Sequence, residues 1–206
     1  MTTANERYVD YLDFSESSWK RPECPTRVWR VVDGRRKMPD GEIPRFSIQE
    51  IPKELEDDVI DFMVAILFTE EPIQADLGTK DDPLAIREFR TLWRDVLLQG
   101  ISVVALTVSS DPSAKPVIAG ANMLSVFTAE DEEDCDSLME FQSIGLQKAM
   151  AVQMKLMDEC DILGKYGVDK YLTATGLCVH PSFRRQGLGE ELLRVRDDIG
   201  LAYQIP

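Results

Sequence analysis

The chain has few of the residue types that build metal or disulfide sites. Among its 206 residues there is one histidine, His180, and there are four cysteines, Cys24, Cys135, Cys160 and Cys178. No two of them have the spacing of zinc ligands, and four scattered cysteines do not make a disulfide framework. The sequence therefore predicts no metal site and reduced cysteines, as is typical of an intracellular protein.

Long apolar runs and a basic surplus are also missing. No apolar run reaches the roughly 18 residues that span a bilayer, and residues 1–11 do not have the pattern of a secretory signal. The formal net charge is −14 at pH 7, which disfavours nucleic acid because no basic excess displaces its counterions. We therefore expect a cytoplasmic protein with no membrane or nucleic-acid partner. The negative charge would favour cationic small molecules near an acidic site, but taken alone it is better explained by solubility.

Enough hydrophobic sequence is present for one folded domain. Hydrophobic residues make up 44% of the chain and charged residues 29%, as in ordinary globular proteins. Residues 1–25 show no periodicity and are predicted to be a flexible extension, with the domain over residues 26–206. Alternating or β-branched patterns predict strands, and helical spacing of apolar residues predicts helices. The strands are predicted over 26–33, 45–51, 101–108, 117–127 and 170–179, and the helices over 52–68, 82–97, 138–163 and 188–203.

Single residues refine some of these elements. The strands over 101–108 and 117–127 are predicted to form an antiparallel hairpin, and Gly176 is a candidate bulge in the last strand. The helix over 138–163 is predicted to break near Gly145 and to be stopped by Gly164 and Gly167. Its methionines, Met150 among them, are predicted to be core filler.

The most informative segment is CVHPSFRRQGLG, residues 178–189. A long strand ends there, and a loop with the pattern Arg184-x-x-Gly187-x-Gly189 opens directly into an apolar-periodic helix. Unpaired N–H groups and the helix dipole make such a helix start attractive to phosphate. The pattern is neither the dinucleotide fingerprint, since Leu192 stands where a glycine is needed, nor a P-loop. Without its flanking residues, the loop is equally well explained as the start of a helix that contains two glycines and binds no ligand.

With its flanking residues, this segment resembles a known signature. Residues 177–193, LCVHPSFRRQGLGEELL, are similar to the acetyl-coenzyme A signature of the GNAT acetyltransferase superfamily. The segment FTEEPI, residues 68–73, and a helical insert before the last strand look more like the insect arylalkylamine (dopamine) N-acetyltransferases. The resemblance covers about residues 45–206. It implies an α/β (α+β) fold with a mixed, mainly antiparallel central sheet flanked by helices, here lacking the C-terminal part of the domain.

The resemblance also implies a site. Main-chain groups of Leu177, Cys178 and Val179 would pair with the pantetheine arm of acetyl-coenzyme A. The N–H groups of the loop would hold its diphosphate; these belong to Arg184, Arg185, Gln186, Gly187, Leu188 and Gly189. Glu71, directly before a proline, would be the base that deprotonates a small arylalkylamine such as dopamine, serotonin or tryptamine. No metal is implied.

Other interpretations remain open from the residues themselves. Glu70 and Glu71 could be surface acids at a helix end, and Cys178 and His180 are better explained as packing residues than as catalytic ones. The superfamily fold continues beyond the signature helix, so the resemblance implies an exposed sheet edge at the strand ending at Val179 and weak turnover. The chain could then be a coenzyme-binding or interaction protein that self-associates through that edge, or a peptide N-acetyltransferase.

Overall fold

A single antiparallel sheet lies at the centre of the molecule. The computed structural model describes residues 19–109, 111, 115–133 and 141–206. Within them, five strands pair in the order in which they occur in the chain, each antiparallel to the next. They are β1 (Val28–Asp33), β2 (Arg45–Glu50), β3 (Val103–Val108), β4 (Ile118–Thr128) and β5 (Lys170–Val179). The predicted hairpin of β3 and β4 is present.

Helices cover both faces of this sheet. They are α1 (Glu56–Glu70), α2 (Pro72–Asp76), α3 (Pro83–Leu97), α4 (Ala129–Glu133), α5 (Ile144–Cys160), α6 (Ile162–Tyr166) and α7 (Leu188–Tyr203). Neighbouring side chains of β3 lie on opposite faces of the sheet. Val104 packs in the core with α1 and α3, whereas Val103 packs in the core with α7. Burial on both sides explains why the first four residues of β3 are all apolar instead of alternating. The predicted fold class, an α/β fold with a mainly antiparallel sheet flanked by helices, is confirmed.

The chain around Pro72 differs from the prediction of a helix that ends at Phe68 and leads into a polar segment. Helix α1 continues to Glu70, and Pro72 begins α2 instead of ending helical structure. Proline suits the first position of a helix because its missing N–H would have no partner there. Glu71 is the N-cap of α2, and its carboxylate accepts a hydrogen bond from the N–H of Gln74 at 2.8 Å. This hydrogen bond between the Glu71 side chain and the backbone stabilises the first turn of α2. With five residues, α2 is too short for apolar periodicity to indicate a helix there.

The predicted helix over 138–163 is also revised. Residues 138–140 lie outside the described part, α5 begins at Ile144, and the break comes at Asp161 and not near Gly145. Asp161 has a left-handed φ of 38° and caps α6 by accepting from the N–H of Gly164 at 3.0 Å. Gly164 lies inside α6, and only Gly167, also left-handed, ends that helix as predicted. Of the acidic run 129–136, the first five residues form α4, and residues 134–136 lie outside the described part.

The described end of the predicted extension contacts the sheet. The N–H of Arg21 donates to the carbonyl of Gln99 at 3.1 Å, and its guanidinium lies 3.1 Å from the carboxylate of Glu50, which is buried. The hydroxyl of Tyr203 donates to the same carboxylate at 3.0 Å. Residue 21 therefore helps to neutralise a charge inside the domain. The boundary at residue 26 stays a prediction.

Strand β5 lies at one edge of the sheet and pairs with β4 on its other side. Within the described ranges, none of the helices has both the length and the apolar character needed to cross a bilayer. The same residues include no group of three or more His, Cys, Asp or Glu side chains placed to hold a metal ion.

Candidate active site

A bulge near the end of β5 shapes the centre of the candidate site. Leu124 pairs with Ala174 and Asn122 with Leu177, so β5 carries one more residue than β4 over this stretch. The extra residue is accommodated at Gly176, whose φ of 122° suits glycine far better than other residues. The indole N–H of Trp93 donates to the carbonyl of Thr175 at 2.8 Å and fixes the bulge from the α3 side. The sequence predicts a bulge at this glycine, and the structure has it.

Residues 184–189, here called the glycine loop, follow β5 after one short helical turn. Arg185 and Gly187 have left-handed φ values of 62° and 87°. Gly187 is the N-cap of α7 and provides no side-chain hydrogen bond to the first turn. The first N–H groups of a helix have no partner within the helix, so this start has donors for an anion and a favourable dipole.

Most of the glycine loop borders one open cavity of about 610 Å³, here called the loop cavity. Its lining includes five of the six loop residues together with Val179. Those five are Arg184, Arg185, Gly187, Leu188 and Gly189. The rest of the lining consists of Arg35 and Arg36, from the turn between β1 and β2, and of Glu190 in the first turn of α7. Sequence reasoning missed both arginines, because they are distant in the chain and belong to no motif.

Gln186 is the exception within the loop, since its side chain is turned inward and is only 6% exposed. Its amide oxygen accepts from the N–H of Arg36 at 2.8 Å, and its amide nitrogen donates to the carbonyl of Arg36 at 3.0 Å. The side chain therefore ties the glycine loop to the β1–β2 turn. The predicted role of Gln186 concerned its backbone N–H; its side chain has a separate, structural contact.

A second cavity of about 200 Å³, here called the strand cavity, lies along the end of β5. It is bordered by Leu177, Cys178 and Val179, the three strand residues that the sequence predicts for the pantetheine arm, and by Arg184. Helix α1 closes the other side with Glu70, followed by Glu71. The residues predicted separately from the strand, the loop and the acidic segment thus meet in one place.

Glu71 occupies the junction between two cavities. It borders the strand cavity and also a pocket of about 280 Å³, here called the apolar pocket. The apolar pocket is lined largely by hydrophobic side chains from α1, α3 and α5, among them Leu67, Phe89 and Met150, and by Gly176 of the bulge. A carboxylate that also caps α2 therefore faces apolar surroundings on one side and the strand cavity on the other. Met150, predicted to be core filler, is part of this lining.

One buried polar atom lies among the residues of the apolar pocket. The amide oxygen of Gln74 is buried and has no hydrogen-bond partner within the part of the chain that the structure describes. Gln74 is itself 6% exposed and contributes to the pocket lining. An unpaired buried oxygen costs about 1–3 kcal/mol, so this position favours a molecule that brings a donor.

Cys178 and His180 have the packing roles that the sequence indicates. Burial raises the pKa of the Cys178 thiol to about 12, while nearby Arg184 lowers it by less. A thiol that stays protonated at neutral pH is a poor nucleophile. The Nδ1 atom of His180 accepts from the N–H of Ser182 at 3.2 Å, and the imidazole stacks on Phe62 with ring centroids 6.3 Å apart. Both residues therefore shape the strand end.

Several solved structures are similar to this chain. A protein described as arylalkylamine N-acetyltransferase 7 of the yellow fever mosquito Aedes aegypti matches with a TM-score of 0.81 and 25% identity, over 91% of this chain and 76% of that one. The chain has the GNAT acetyltransferase fold. Arylalkylamine N-acetyltransferase 2 of Aedes aegypti matches with a TM-score of 0.64 and 20% identity, over 77% and 71% of the two chains. No protein-family model and no curated protein matches the sequence.

A GNAT neighbour with another substrate in its name is a polyamine N-acetyltransferase of Drosophila melanogaster. It matches with a TM-score of 0.61 and 17% identity, over 78% of this chain and 72% of that one. The predicted resemblance to the insect arylalkylamine N-acetyltransferases and the predicted enzyme class, an N-acetyltransferase, are confirmed by the first of these neighbours. At identities below 25%, the second and third matches show the fold alone.

Proposed function

We propose that the protein transfers the acetyl group of acetyl-coenzyme A to the primary amine of a small arylalkylamine of the dopamine, serotonin or tryptamine type. The observation that carries this proposal is the position of Glu71, which borders both the strand cavity and the apolar pocket. A carboxylate at this junction lies where an amine held in the pocket would meet a thioester held along β5.

The residues present fit acetyl-coenzyme A. The glycine loop has left-handed residues at 185 and 187, a conformation that turns main-chain N–H groups toward an anion. At Gly187, a Cβ would lie 2.6 Å from Nε of Arg35, so any larger residue would displace the arginine beside the loop. At the other end, β5 has an open edge, and an extended arm can pair with its main-chain groups as an added strand does. The predicted contacts of Leu177, Cys178 and Val179 rest on this edge.

Glu71 supplies the base in this proposal. An alkylamine is protonated at neutral pH and has no lone pair for attack until a proton is removed. The Glu71 carboxylate takes that proton, directly or through water, and the amine nitrogen then attacks the thioester carbonyl. The new carbon–nitrogen bond forms as the carbon–sulfur bond breaks, and coenzyme A leaves as the thiol after gaining a proton. Main-chain N–H groups beside the bulge polarise the carbonyl.

The apolar pocket supports an aromatic amine over an aliphatic one. Side chains such as Leu67, Phe89 and Met150 offer hydrophobic contact to a ring. A second ammonium group, as in a polyamine, would lose hydration there, and the described lining offers it the neutral amide oxygen of Gln74 but no carboxylate other than Glu71. The pocket volume of about 280 Å³ is at the small end of ligand sites, which fits a compact amine and not a peptide backbone.

The direct test measures thiol release from acetyl-coenzyme A with tryptamine and with agmatine as acceptors, beside calorimetric binding of coenzyme A. We expect faster release with tryptamine. Faster release with agmatine would reassign the substrate to the polyamine class. Coenzyme binding without release for any amine would favour the alternative function, a coenzyme-binding or interaction protein, and light scattering would then show whether the chain self-associates through the β5 edge.

A further inference from the structure

We propose that the turn between β1 and β2 is part of the coenzyme site, with Arg35 and Arg36 binding the 3′-phosphate of coenzyme A. In this proposal Gln186 is the positioning residue that holds the turn against the glycine loop. The inference rests on the proposed function and extends it to a turn that precedes residues 45–206, the part of the sequence in which the resemblance to known acetyltransferases was found.

The attachment of the turn to the loop is specific. Gln186 uses both ends of its amide, accepting from the N–H of Arg36 at 2.8 Å and donating to the carbonyl of Arg36 at 3.0 Å. A buried amide with both functions paired to one backbone unit fixes position and orientation together. The backbone of residue 36 is therefore held at a set place relative to the N-terminus of α7.

Two glycines allow the close approach. A Cβ on Gly34 would lie 2.6 Å from the amide oxygen of Gln186, and a Cβ on Gly187 would lie 2.6 Å from Nε of Arg35. Both distances are shorter than real contacts of a Cβ, so neither position accepts a larger residue without movement. The turn and the loop thus meet at two places, and at one of them the guanidinium of Arg35 occupies the space beside Gly187.

Charge sets this region apart from the rest of an acidic chain. Four arginines border the loop cavity, Arg35, Arg36, Arg184 and Arg185. Arg36 and Arg185 are exposed and form no salt bridge within the described residues. Arg35 is paired with Glu190, which also pairs with Arg194 at 2.6 Å, and these arginines hold the pKa of Glu190 below its usual value. Guanidinium groups on an open cavity favour a phosphate-bearing ligand.

Coenzyme A has two anionic parts, its diphosphate and its 3′-phosphate, and the site has two sets of donors for them, the main-chain N–H groups of the loop and the arginines of the turn. Its diphosphate lies next to the pantetheine arm, so the main-chain N–H groups of the glycine loop, which directly follow β5, are the donors for that group. The remaining anion is the 3′-phosphate, which is terminal and carries up to two charges. The exposed guanidinium groups of the β1–β2 turn border the same cavity, that of Arg35 beside Gly187, and are assigned to this second anion. Arg35 exchanges part of its pairing with Glu190 for the phosphate.

The test compares coenzyme A with dephospho-coenzyme A, which lacks only the 3′-phosphate, by calorimetry on the full chain. For the wild type we expect coenzyme A to bind about tenfold more tightly, as one or two charge-assisted contacts would give. Arg35→Met and Arg36→Met should each remove most of that difference and leave dephospho-coenzyme A within about twofold of wild type. The matched control is Arg87→Met, which removes an exposed arginine of α3 far from the cavity.

The outcomes separate this inference from the proposed function. If the wild type binds neither compound, the proposed function fails and this inference with it. If both compounds bind but the arginine variants leave the ratio of the two affinities unchanged, only the assignment of the turn is wrong. If the variants weaken both compounds equally, the arginines serve the diphosphate and the 3′-phosphate assignment is overturned. Gln186→Leu should lower the ratio although both arginines remain, and an unchanged ratio in a folded Gln186→Leu protein would refute its positioning role.

Discussion

Arg184 connects the glycine loop to the end of α1 through an ion pair with Glu70, with 2.5 Å between the guanidinium and the carboxylate. Its Nε also donates to the carbonyl of Val179 at 3.2 Å. One side chain thus joins the loop, the strand end and the helix that leads to Glu71. The Val179 carbonyl is one of the main-chain groups predicted to meet the pantetheine arm, so coenzyme binding and the position of this arginine are coupled.

The first prediction concerns how much this ion pair contributes to stability. Both side chains are about 40% exposed, at 43% and 40%, and exposed ion pairs contribute below about 1 kcal/mol. We expect a double-mutant cycle of Glu70→Gln and Arg184→Gln, measured by urea unfolding, to give a coupling energy under that value. The same variants should change coenzyme A affinity, because Arg184 borders both the loop cavity and the strand cavity and Glu70 borders the strand cavity.

A coupling energy of several kcal/mol in unfolding would contradict this view and make the pair a structural element. The matched control is the pair Arg94 and Asp57, which joins α3 to α1 at 3.1 Å with both side chains exposed. Its removal should have a similarly small effect on unfolding and none on coenzyme affinity.

The second prediction follows from the raised pKa of Cys178. In the folded chain the thiol has a pKa of about 12, against an ordinary value of 9.0. The unfolded chain therefore loses this proton first as the pH rises. Burial of the protonated Cys178 thiol therefore makes its full contribution to the free energy of unfolding below about pH 9, and this contribution is lost as the pH rises toward about 12. We expect the free energy of unfolding of the wild type to fall, relative to Cys178→Ala, between pH 8 and pH 10.

The exposed Cys160 gives the control for this experiment. Cys160→Ala should show the same pH dependence as the wild type, since the side chain of Cys160 is exposed in the folded chain. If Cys178→Ala also follows the wild type, the thiol of Cys178 is more accessible than its burial indicates. Acetyl transfer by Cys178→Ala should persist at a rate close to wild type, because a protonated buried thiol carries no acyl group.

Local signals explain which parts of the site were predictable. The strand over 170–179, the bulge at Gly176 and the start of α7 at Leu188 follow from β-branched runs, a single glycine and a glycine-to-helix transition that lie next to each other in the chain. Each of these features is set by a few neighbouring residues. The sequence therefore predicts them with correct boundaries and predicts the glycine loop with them.

The parts that could not be predicted depend on residues far apart in the sequence. Arg36 and Gln186 are separated by 150 positions, and no periodicity in either segment indicates that they meet. The apolar pocket draws residues from α1, α3 and α5, so its existence depends on packing and not on any one pattern. Helix α2 was missed for a different reason, because a proline after a helix was interpreted as an end although Glu71 and Pro72 begin a new one.

The third prediction tests the bulge. Gly176 has a φ of 122°, and a Cβ there would lie 3.0 Å from the methyl carbon of Met63. Gly176→Ala should therefore lower the free energy of unfolding by about 1–3 kcal/mol through backbone strain, as measured by thermal or urea unfolding. The substitution should also lower acetyl transfer, because the bulge separates the strand cavity from the apolar pocket.

Gly145→Ala is the control for this substitution. Gly145 lies in the first turn of α5, and a Cβ there would make ordinary contacts, the shortest 3.4 Å from Thr79. Replacing a helical glycine by alanine stabilises by up to about 1 kcal/mol, so the two variants should have opposite signs. A Gly176→Ala protein as stable as the wild type would show that the bulge relaxes without cost.

The fourth prediction concerns Glu71 as the base. Glu71→Gln keeps the size of the side chain and an oxygen that can accept from the N–H of Gln74, so the N-cap of α2 should survive and the protein should fold. The amide cannot take a proton from the amine, so kcat with tryptamine should fall about 100-fold or more while the affinity for coenzyme A stays unchanged. The control is Glu54→Gln, which removes an equal charge from an exposed position before α1 and should leave the rate as in the wild type. A Glu71→Gln enzyme with full rate would mean that the junction between the cavities holds the amine without deprotonating it, and that the proton leaves through another group or through solvent.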